Sequence, residues 1–294
     1  MNLDNKVQEI LTTHGLDFTI RKEPLTLTVD GKTYITGYYG LFNPKTAETI
    51  NTCKVGYGVS QNADIIRMVL QGTEKYGHKL KVTKAGSING GRRVFVQLEI
   101  EGDAKVGPDI VKKYITVIDS NDGSTGLSVG IGDKVMHCGN QFFRFYKESK
   151  AKFRHTATID QKIATIPSLI ETALEESIRQ IKIYESFISS PVSQNLADKM
   201  VKEVLGYDRV LTSLEDQKKL TKRSQRMMGD LYDAIDREYG YVGKNVWGLF
   251  NGLTRYTTHE KKVYKKENGK WESMLIGTNY NKAIKGFNLL KEAV

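Results

Sequence analysis

Basic and aromatic residues are interleaved between residues 75 and 95, where no acidic residue occurs. Lysine and arginine neutralise the phosphates of a nucleic acid, and aromatic rings stack on unpaired bases. These residue types therefore predict a surface that binds single-stranded nucleic acid. A solvated hairpin face is the competing interpretation, because runs of charge usually lie at the surface. The candidate binding residues of this stretch are Lys79, Lys81, Lys84, Arg92, Arg93 and Phe95.

A second basic stretch covers residues 144–155 and, on the same sheet, would leave a groove between the two stretches. Its aromatic residues are expected in the core and its cations at the surface. The triplet 154–156 precedes a long predicted helix, where it could grip a phosphate or instead tie the two halves of the chain together. The candidate binding residues here are Arg144, Lys147, Lys152, Arg154 and His155. A third basic stretch, 255–270, fits a phosphate clamp or a solvated linker equally well.

An enzyme is the alternative interpretation, with a cleft between a sheet and the helical half of the chain. The candidate acid, base or ligand groups are His155, Asn140, Asp122 and His259. Asp122-Gly123 is also the dipeptide that a turn between two strands demands. Trp247, Asn251 and Thr254 precede His259 at spacings of about one helical turn, which predicts a hydrogen-bond network joining a helix to the sheet.

Metal and cofactor chemistry is not expected from the motifs. His137-Cys138 suggests a metal site, but the chain has only two cysteines and no Cys-x-x-Cys or His-Glu-x-x-His spacing. We therefore expect no metal, and Cys138 is interpreted as a small buried apolar residue. The phosphate-binding loop of ATP-driven motors is also missing from the sequence.

The composition favours a polyanionic partner and a reducing compartment. The 294 residues carry a formal charge of +10 with a pI of about 9.3, which attracts nucleic acid without identifying it. No apolar stretch is long enough to span a bilayer, and the first residues do not resemble a signal peptide. We therefore expect a cytoplasmic protein with no membrane contact.

Alternation of apolar and polar residues predicts a sheet that positions the first basic stretch. Val94, Val96, Leu98 and Ile100 alternate with Arg93 and Phe95, which places Phe95 on the face away from the core. Four strands are predicted, at about 79–88, 93–100, 114–118 and 127–131, with a loop at 101–108 and a short aromatic helix at 141–147. Glycines leave one face of the last strand almost bare, so that another element can approach it closely.

The flanking regions are predicted to hold a hairpin and several helices. Asp30-Gly31 predicts a tight hairpin between 25–29 and 33–38, and helices are expected at 3–11 and from 62 to about 76. After residue 150 the apolar period changes to that of helices. A long helix is predicted at 163–188, a second from Ser193, a third capped at Ser213, and others at 246–259 and 280–293. The fold class is α+β, with an antiparallel β-sheet region at 1–150 and a mainly helical region at 151–294.

Several short stretches, in order along the chain, resemble a known family. They are VGYGVSQN (55–62), GGRRVFV (90–96), DSNDGS (119–124), HCGN (137–140), RHT (154–156) and WGLFNGLTRYTTH (247–259). The chain resembles the phage/plasmid-like proteins that share the domain of unknown function numbered 932. It departs from their usual pattern at Lys134, where arginine is expected, and at Gly252, where alanine is expected. The resemblance implies a phage or mobile-element origin and a cytoplasmic setting, and it implies no particular activity.

These observations predict a non-enzymatic protein that binds single-stranded DNA, forms homo-oligomers and assists replication or strand annealing without ATP. The first alternative is an enzyme that acts on a nucleotide or nucleic acid. The second is a structural or host-interaction protein whose positive charge is incidental.

Overall fold

An antiparallel six-stranded sheet forms the centre of the fold in a computed structural model, which describes residues 2–76, 79–145, 152–208, 220–260 and 269–294. The strands follow the order β4-β5-β6-β7-β8, and β9 pairs with the start of β7. They are β4 (Leu80–Ile88), β5 (Arg93–Val106), β6 (Asp109–Ser120), β7 (Leu127–Val135), β8 (Gln141–Phe145) and β9 (Lys152–Phe153). The predicted hairpin sheet is confirmed and is larger than the sequence indicated.

Both faces of this sheet are buried. Val94, Val96, Leu98 and Ile100 of β5 join the main apolar core, as their alternation predicted. Phe95 points to the other face, where a second apolar cluster includes residues of β8 and of the C-terminal helices. A sheet covered on both faces buries consecutive residues of a strand, so the strand's sequence is a continuous apolar run rather than an alternation of apolar and polar residues.

Two predicted elements near the sheet are wrong, the first of them for this reason. Residues 141–145 form strand β8 rather than an aromatic helix, and Phe142 and Phe143 are both buried because they face opposite apolar clusters. The predicted loop at 101–108 is mostly strand, since β5 continues to Val106 past a register shift between Ile100 and Ala104. Only the short turn between Val106 and Asp109 connects β5 to β6.

The N-terminal region carries a second, three-stranded sheet with an extended hairpin. It comprises α1 (Leu3–Thr13), β1 (Arg21–Val29), β2 (Lys32–Asn43), β3 (Glu48–Lys54) and α2 (Asn62–Glu74). Asp30 and Gly31 adopt φ angles of 50° and 74°, as the predicted tight turn requires. Nearly every residue from 25 to 38 is exposed to solvent. We call residues 25–38 the arm.

The described residues after 153 are mainly helical, which confirms the α+β class. They form α3 (Ile159–Ile163), α4 (Ile166–Ser189), α5 (Gln194–Leu205), α6 (Lys222–Val242), α7 (Val246–Arg255), a π-helix (Tyr256–Glu260), α8 (Gly269–Leu275) and α9 (Thr278–Glu292). The predicted cap at Ser213 lies outside the described residues. Within the described ranges no helix is both long and apolar enough to cross a membrane.

Helix α4 packs on the central sheet through a face that includes polar residues. Its buried residues include Ser177 and Gln180, whereas the apolar side chain of Ile178 is 59% exposed. Gln180 and Tyr184 both donate hydrogen bonds to the buried carboxylate of Asp133 on β7, at 2.6 and 2.8 Å. The orientation of α4 therefore satisfies a buried charge as well as apolar surface.

Candidate functional site

The predicted binding face of the β4–β5 hairpin is covered by α8. The side chain of Phe95 is 1% exposed, and its ring stacks on Trp271 with the centroids 5.5 Å apart. The ammonium group of Lys84 lies 3.7 Å above the same indole ring. The expectation that Phe95 offers a stacking surface to a nucleic acid is therefore wrong. The sheet face on which it lies is an internal packing surface.

Arg93 is also engaged inside the protein. Its guanidinium donates hydrogen bonds to the carboxylates of Asp122 at 3.0 Å and Glu272 at 2.6 Å, and to the hydroxyl of Ser124 at 2.6 Å. These contacts join β5, the turn between β6 and β7, and helix α8. Asp122 is thus a turn residue, as the competing interpretation of Asp122-Gly123 proposed. Its carboxylate also pairs with Arg93.

Two of the remaining candidates are engaged by other residues of the protein. Arg144 donates a hydrogen bond to Glu176 at 3.4 Å, and Arg92 donates one to the carbonyl oxygen of Thr49 at 3.0 Å. Lys147 and the side chain of Lys152 lie outside the described residues. The candidates that are exposed to solvent are Lys79, Lys81 and Arg154.

His155 belongs to a buried polar cluster at one end of β6, which we call the His155 cluster. Its Nε2 lies 2.7 Å from Oδ1 of Asp119, and its Nδ1 lies 3.0 Å from the carbonyl oxygen of Gly58. The hydroxyl of Ser60 donates to the other oxygen of Asp119. The ring of Tyr57 stacks on the imidazole at a centroid distance of 5.1 Å.

Hydrogen bonding to two acceptors fixes the protonation state of His155. Its two ring nitrogens face a carboxylate and a carbonyl oxygen, and the imidazolium is the form that can donate to both. Burial lowers the pKa of His155, but the hydrogen bond and charge of Asp119 and the Gly58 carbonyl together raise it above its ordinary value. The cluster joins the 57–60 loop, β6 and the segment before α3, which favours the interpretation of His155 as a tie between parts of the chain.

A second polar cluster, the Glu238 cluster, lies where the β7–β8 turn meets α6 and α7. The carboxylate of Asp109, the first residue of β6, is fully buried. It accepts hydrogen bonds from His137 Nδ1 at 2.9 Å, Trp247 Nε1 at 2.8 Å and Asn251 Nδ2 at 3.1 Å. The predicted network joining the helix of Trp247 and Asn251 to the sheet is therefore confirmed.

Glu238 of α6 is the second buried carboxylate of this cluster and is 1% exposed. Its Oε1 accepts hydrogen bonds from Asn140 Nδ2 and Arg255 Nη1, both at 3.1 Å. Its Oε2 has no hydrogen-bond partner among the described residues, and the same holds for the side-chain oxygens of Asn140 and Asn251. A buried acceptor without a donor is costly, so these oxygens indicate an incomplete set of contacts.

His137 and Cys138 complete the Glu238 cluster. One ligand atom each from His137, Cys138 and Glu238 lie within 4.8 Å of one another, a grouping that could hold a metal ion. Burial raises the pKa of the Cys138 thiol to about 12. His259 on the π-helix lies beside the same turn, because a Cβ on Gly139 would be 3.7 Å from its ring. Burial lowers the pKa of His259, and the charges of Lys270 and Arg255 lower it further.

The four acid-base candidates of the enzyme hypothesis fall into two groups. Asn140 and His259 lie in or beside the Glu238 cluster, whereas His155 and Asp122 lie elsewhere. None of the four lines the cleft of about 580 Å³ that the described part of the chain forms between α1, α2 and β4. A single pocket in which all four converge is thus not what the described residues form.

Sequence reasoning missed Asp109, Asp119, Glu238 and Trp271 as site residues. Each acts through partners far away in the chain, and only Asp119 lies within a stretch that the sequence analysis singled out. The one available signal was indirect: the stretches that carry the family resemblance supply most members of both polar clusters.

Comparison with known families agrees with this distribution. A family model described as "Domain of unknown function (DUF932)" matches residues 50–276. The matched range includes both polar clusters, and the arm precedes it. No curated protein and no solved structure matches the chain.

Proposed function

Because this chain belongs to the DUF932 family, whose shared domain has no assigned activity, we propose a function from its own residues: it binds single-stranded nucleic acid, DNA in particular, and does so through the arm. It acts without ATP in replication or strand annealing of a phage or mobile element, in the cytoplasm of the host. The observation that carries this proposal is the exposure of aromatic and apolar residues on the arm, beside the exposed Lys32 of the arm and Lys54 of β3.

The arm offers the chemistry that the covered β4–β5 hairpin does not. Tyr34 and Tyr38 are 53% and 50% exposed, and exposed rings can stack on unpaired bases of any sequence. Tyr34 pairs with Leu27 across the hairpin, and Lys32 pairs with Val29, so these side chains share one face. Tyr38 is the cross-strand partner of Lys54 on β3. Each of the two rings therefore has one lysine nearby, Lys32 on the arm and Lys54 on β3.

The charge of the whole chain supports the same partner. A formal charge of +10 raises the local concentration of polyanions and speeds their encounter with the arm. The exposed Lys79, Lys81 and Arg154 add sequence-independent phosphate contacts outside the arm. Such contacts make affinity fall with salt, with a slope of about −0.7 per neutralised phosphate on a single strand.

The test is fluorescence anisotropy with a labelled single-stranded oligonucleotide over a range of salt concentrations. Replacing Tyr34 and Tyr38 by alanine should weaken binding by roughly 5- to 100-fold per ring, since stacking contributes about 1–3 kcal/mol per base. Replacing Lys32 and Lys54 by alanine should reduce the salt slope by about 1.4. The matched control replaces Lys199 and Lys291, which are exposed and outside the arm, and removes the same charge.

Wild-type protein that does not bind the oligonucleotide at low salt would refute the proposal. An equal loss of DNA binding in the Lys32/Lys54 variant and in its control would show that only net charge matters. Sedimentation of the same samples measures the expected homo-oligomer. If the tyrosine variant binds DNA normally but loses self-association, the arm contacts protein instead, which supports the structural alternative.

The enzyme alternative is favoured by one specific observation: Oε2 of the buried Glu238, in a cluster with His137 and Cys138, has no donor among the residues that the structure describes. A buried acceptor without a donor requires an explanation, and a bound ligand or ion is one such explanation. The donor atoms of these side chains determine which kind of ligand they fit.

A further inference from the structure

We propose that His137, Cys138 and Glu238 form a binding site for one divalent transition-metal ion of the zinc type. The donors are a ring nitrogen, a thiolate sulfur and a carboxylate oxygen. This mixed N/S/O set suits Zn²⁺ and related borderline ions and does not suit Mg²⁺ or Ca²⁺, which prefer oxygen ligands. This inference is independent of the nucleic-acid proposal, because the arm contributes none of the three ligands.

The separation of the three donor atoms is close to that of a metal site. Ligands at about 2.0–2.3 Å from a tetrahedral zinc ion are about 3.3–3.8 Å apart. The donor atoms here lie within 4.8 Å of one another. Closing the set requires movements of about 1 Å, which His137 and Cys138 can make because they lie on the turn between β7 and β8 and are not fully buried.

A second observation points independently to a cation. Glu238 is nearly fully buried, yet its Oε2 has no donor among the described residues. The side-chain oxygens of Asn140 and Asn251, in the same cluster, likewise have no donor within the described ranges. An ion beside Oε2 would satisfy the carboxylate, whose other oxygen is already held by Asn140 and Arg255.

The residues around the three donors orient them as outer-shell partners orient metal ligands. Asp109 accepts a hydrogen bond from His137 Nδ1, which fixes the tautomer and leaves the lone pair of Nε2 for a metal. Tyr241 stacks on the His137 ring at 3.7 Å and restricts its rotation. Trp247 and Asn251 hold Asp109 in turn. At a metal site, a carboxylate–histidine pair of this kind fixes the orientation of the ligating imidazole.

Three protein ligands leave a coordination position open, the arrangement of catalytic rather than structural zinc sites. The His137 side chain is 33% exposed, so solvent reaches the site. Binding replaces the S–H bond of Cys138 by a sulfur–metal bond, and the proton leaves to solvent. No oxidation or reduction accompanies this step.

The experiment is a titration of chelator-treated full-length protein with Co²⁺, whose bond to a thiolate gives a near-ultraviolet charge-transfer absorption. We expect saturation at one ion per chain and displacement by Zn²⁺. Cys138→Ser should abolish the thiolate band. Cys53→Ser, which removes the other cysteine, should keep both the band and the stoichiometry. Asp109→Asn should weaken binding by about 10–100-fold, as loss of an outer-shell partner does.

Two results would overturn the metal site: no saturable Co²⁺ binding by the wild-type chain, or a Cys138→Ser variant with unchanged spectrum and affinity. Glu238→Gln should also weaken binding, and its circular dichroism spectrum shows whether it folds. If it does not fold, the comparison of the two cysteine variants decides the question. Binding of several weak equivalents, with both cysteine variants alike, would show adventitious surface binding and refute the site.

Discussion

Replacing His155 by glutamine should lower the free energy of unfolding by about 3–5 kcal/mol at pH 6. The side chains of His155 and Asp119 are 3% and 0% exposed, so they form a buried ion pair. Removing one partner leaves the other charge buried without compensation, and this accounts for the magnitude. Glutamine is similar in length to histidine and can donate one hydrogen bond, but it carries no charge and cannot donate to both Asp119 and Gly58.

The same pair predicts how stability depends on pH. The pKa of His155 is raised in the folded protein, whereas in the unfolded chain it is about 6.5. Between these two values the folded state binds more protons, so stability falls as pH rises. The contribution of the pair is complete below about pH 6.5 and is lost as the pH passes the folded-state pKa. The glutamine variant should not show this loss.

Urea denaturation at pH 6 and pH 9, followed by circular dichroism, measures both effects. Arg67→Gln is the control, because it breaks ion pairs with Asp4 and Asp64 that lie at the surface. It should cost at most about 1 kcal/mol, with no comparable pH dependence. A double-mutant cycle of His155→Gln with Asp119→Asn should give a coupling energy of about 0.5–3 kcal/mol.

Two outcomes would contradict this reasoning. A loss below about 1 kcal/mol at pH 6 would show that the buried contacts of His155 contribute little. A variant that keeps the wild-type difference between pH 6 and pH 9 would show that another group is responsible for it.

Two further changes test the packing of the helices. As pH rises from 4.5 to 7.5, the free energy of unfolding of Asp133→Asn should increase by about 1–3 kcal/mol relative to that of the wild type, as measured by urea denaturation. Burial raises the pKa of Asp133 to about 6, so the folded wild type loses the proton of this buried carboxyl across the range and becomes less stable. Gly252→Ala should destabilise by about 1–3 kcal/mol in thermal unfolding, because its Cβ would lie 2.5 Å from the Cα of Ile235. Gly229→Ala on α6, with open space around it, should instead be neutral or stabilising.

Local patterns predicted the elements of the fold but not what covers them. The alternation at 93–100 identified a strand and the face on which Phe95 lies, because period two is a property of one strand alone. It could not show that Trp271 covers that face, since Trp271 lies on a short helix far along the chain. The aromatic residues at 142–143 misled for the same reason: their pattern is that of a strand only when both faces are known to be buried.

The candidate site shows the same limit more sharply. His137 and Cys138 were noticed as neighbours, and the spacing rules for zinc then argued against a metal, because those rules detect ligands that are close in sequence. Glu238 comes from a helix about one hundred residues away. Asp109 follows an ordinary turn and has no local feature that marks it. Contacts of α6 and α7 with the start of β6 and with the β7–β8 turn bring these groups together.

The burial of both sheet faces changes what keeps the strands aligned. In a sheet with one wet face, a slip of one residue exposes apolar side chains, and this penalty fixes the pairing. In this sheet, a slip of one residue would move each apolar side chain from one buried face to the other. Shape must therefore discriminate: a Cβ on Gly130 or Gly132 of β7 would lie 2.5 Å from the Arg144 carbonyl oxygen or 2.7 Å from the Phe143 ring. A slip that moved Val129 or Ile131 into those places would cause a steric clash, so the two glycines fix the register of β7 in the sheet.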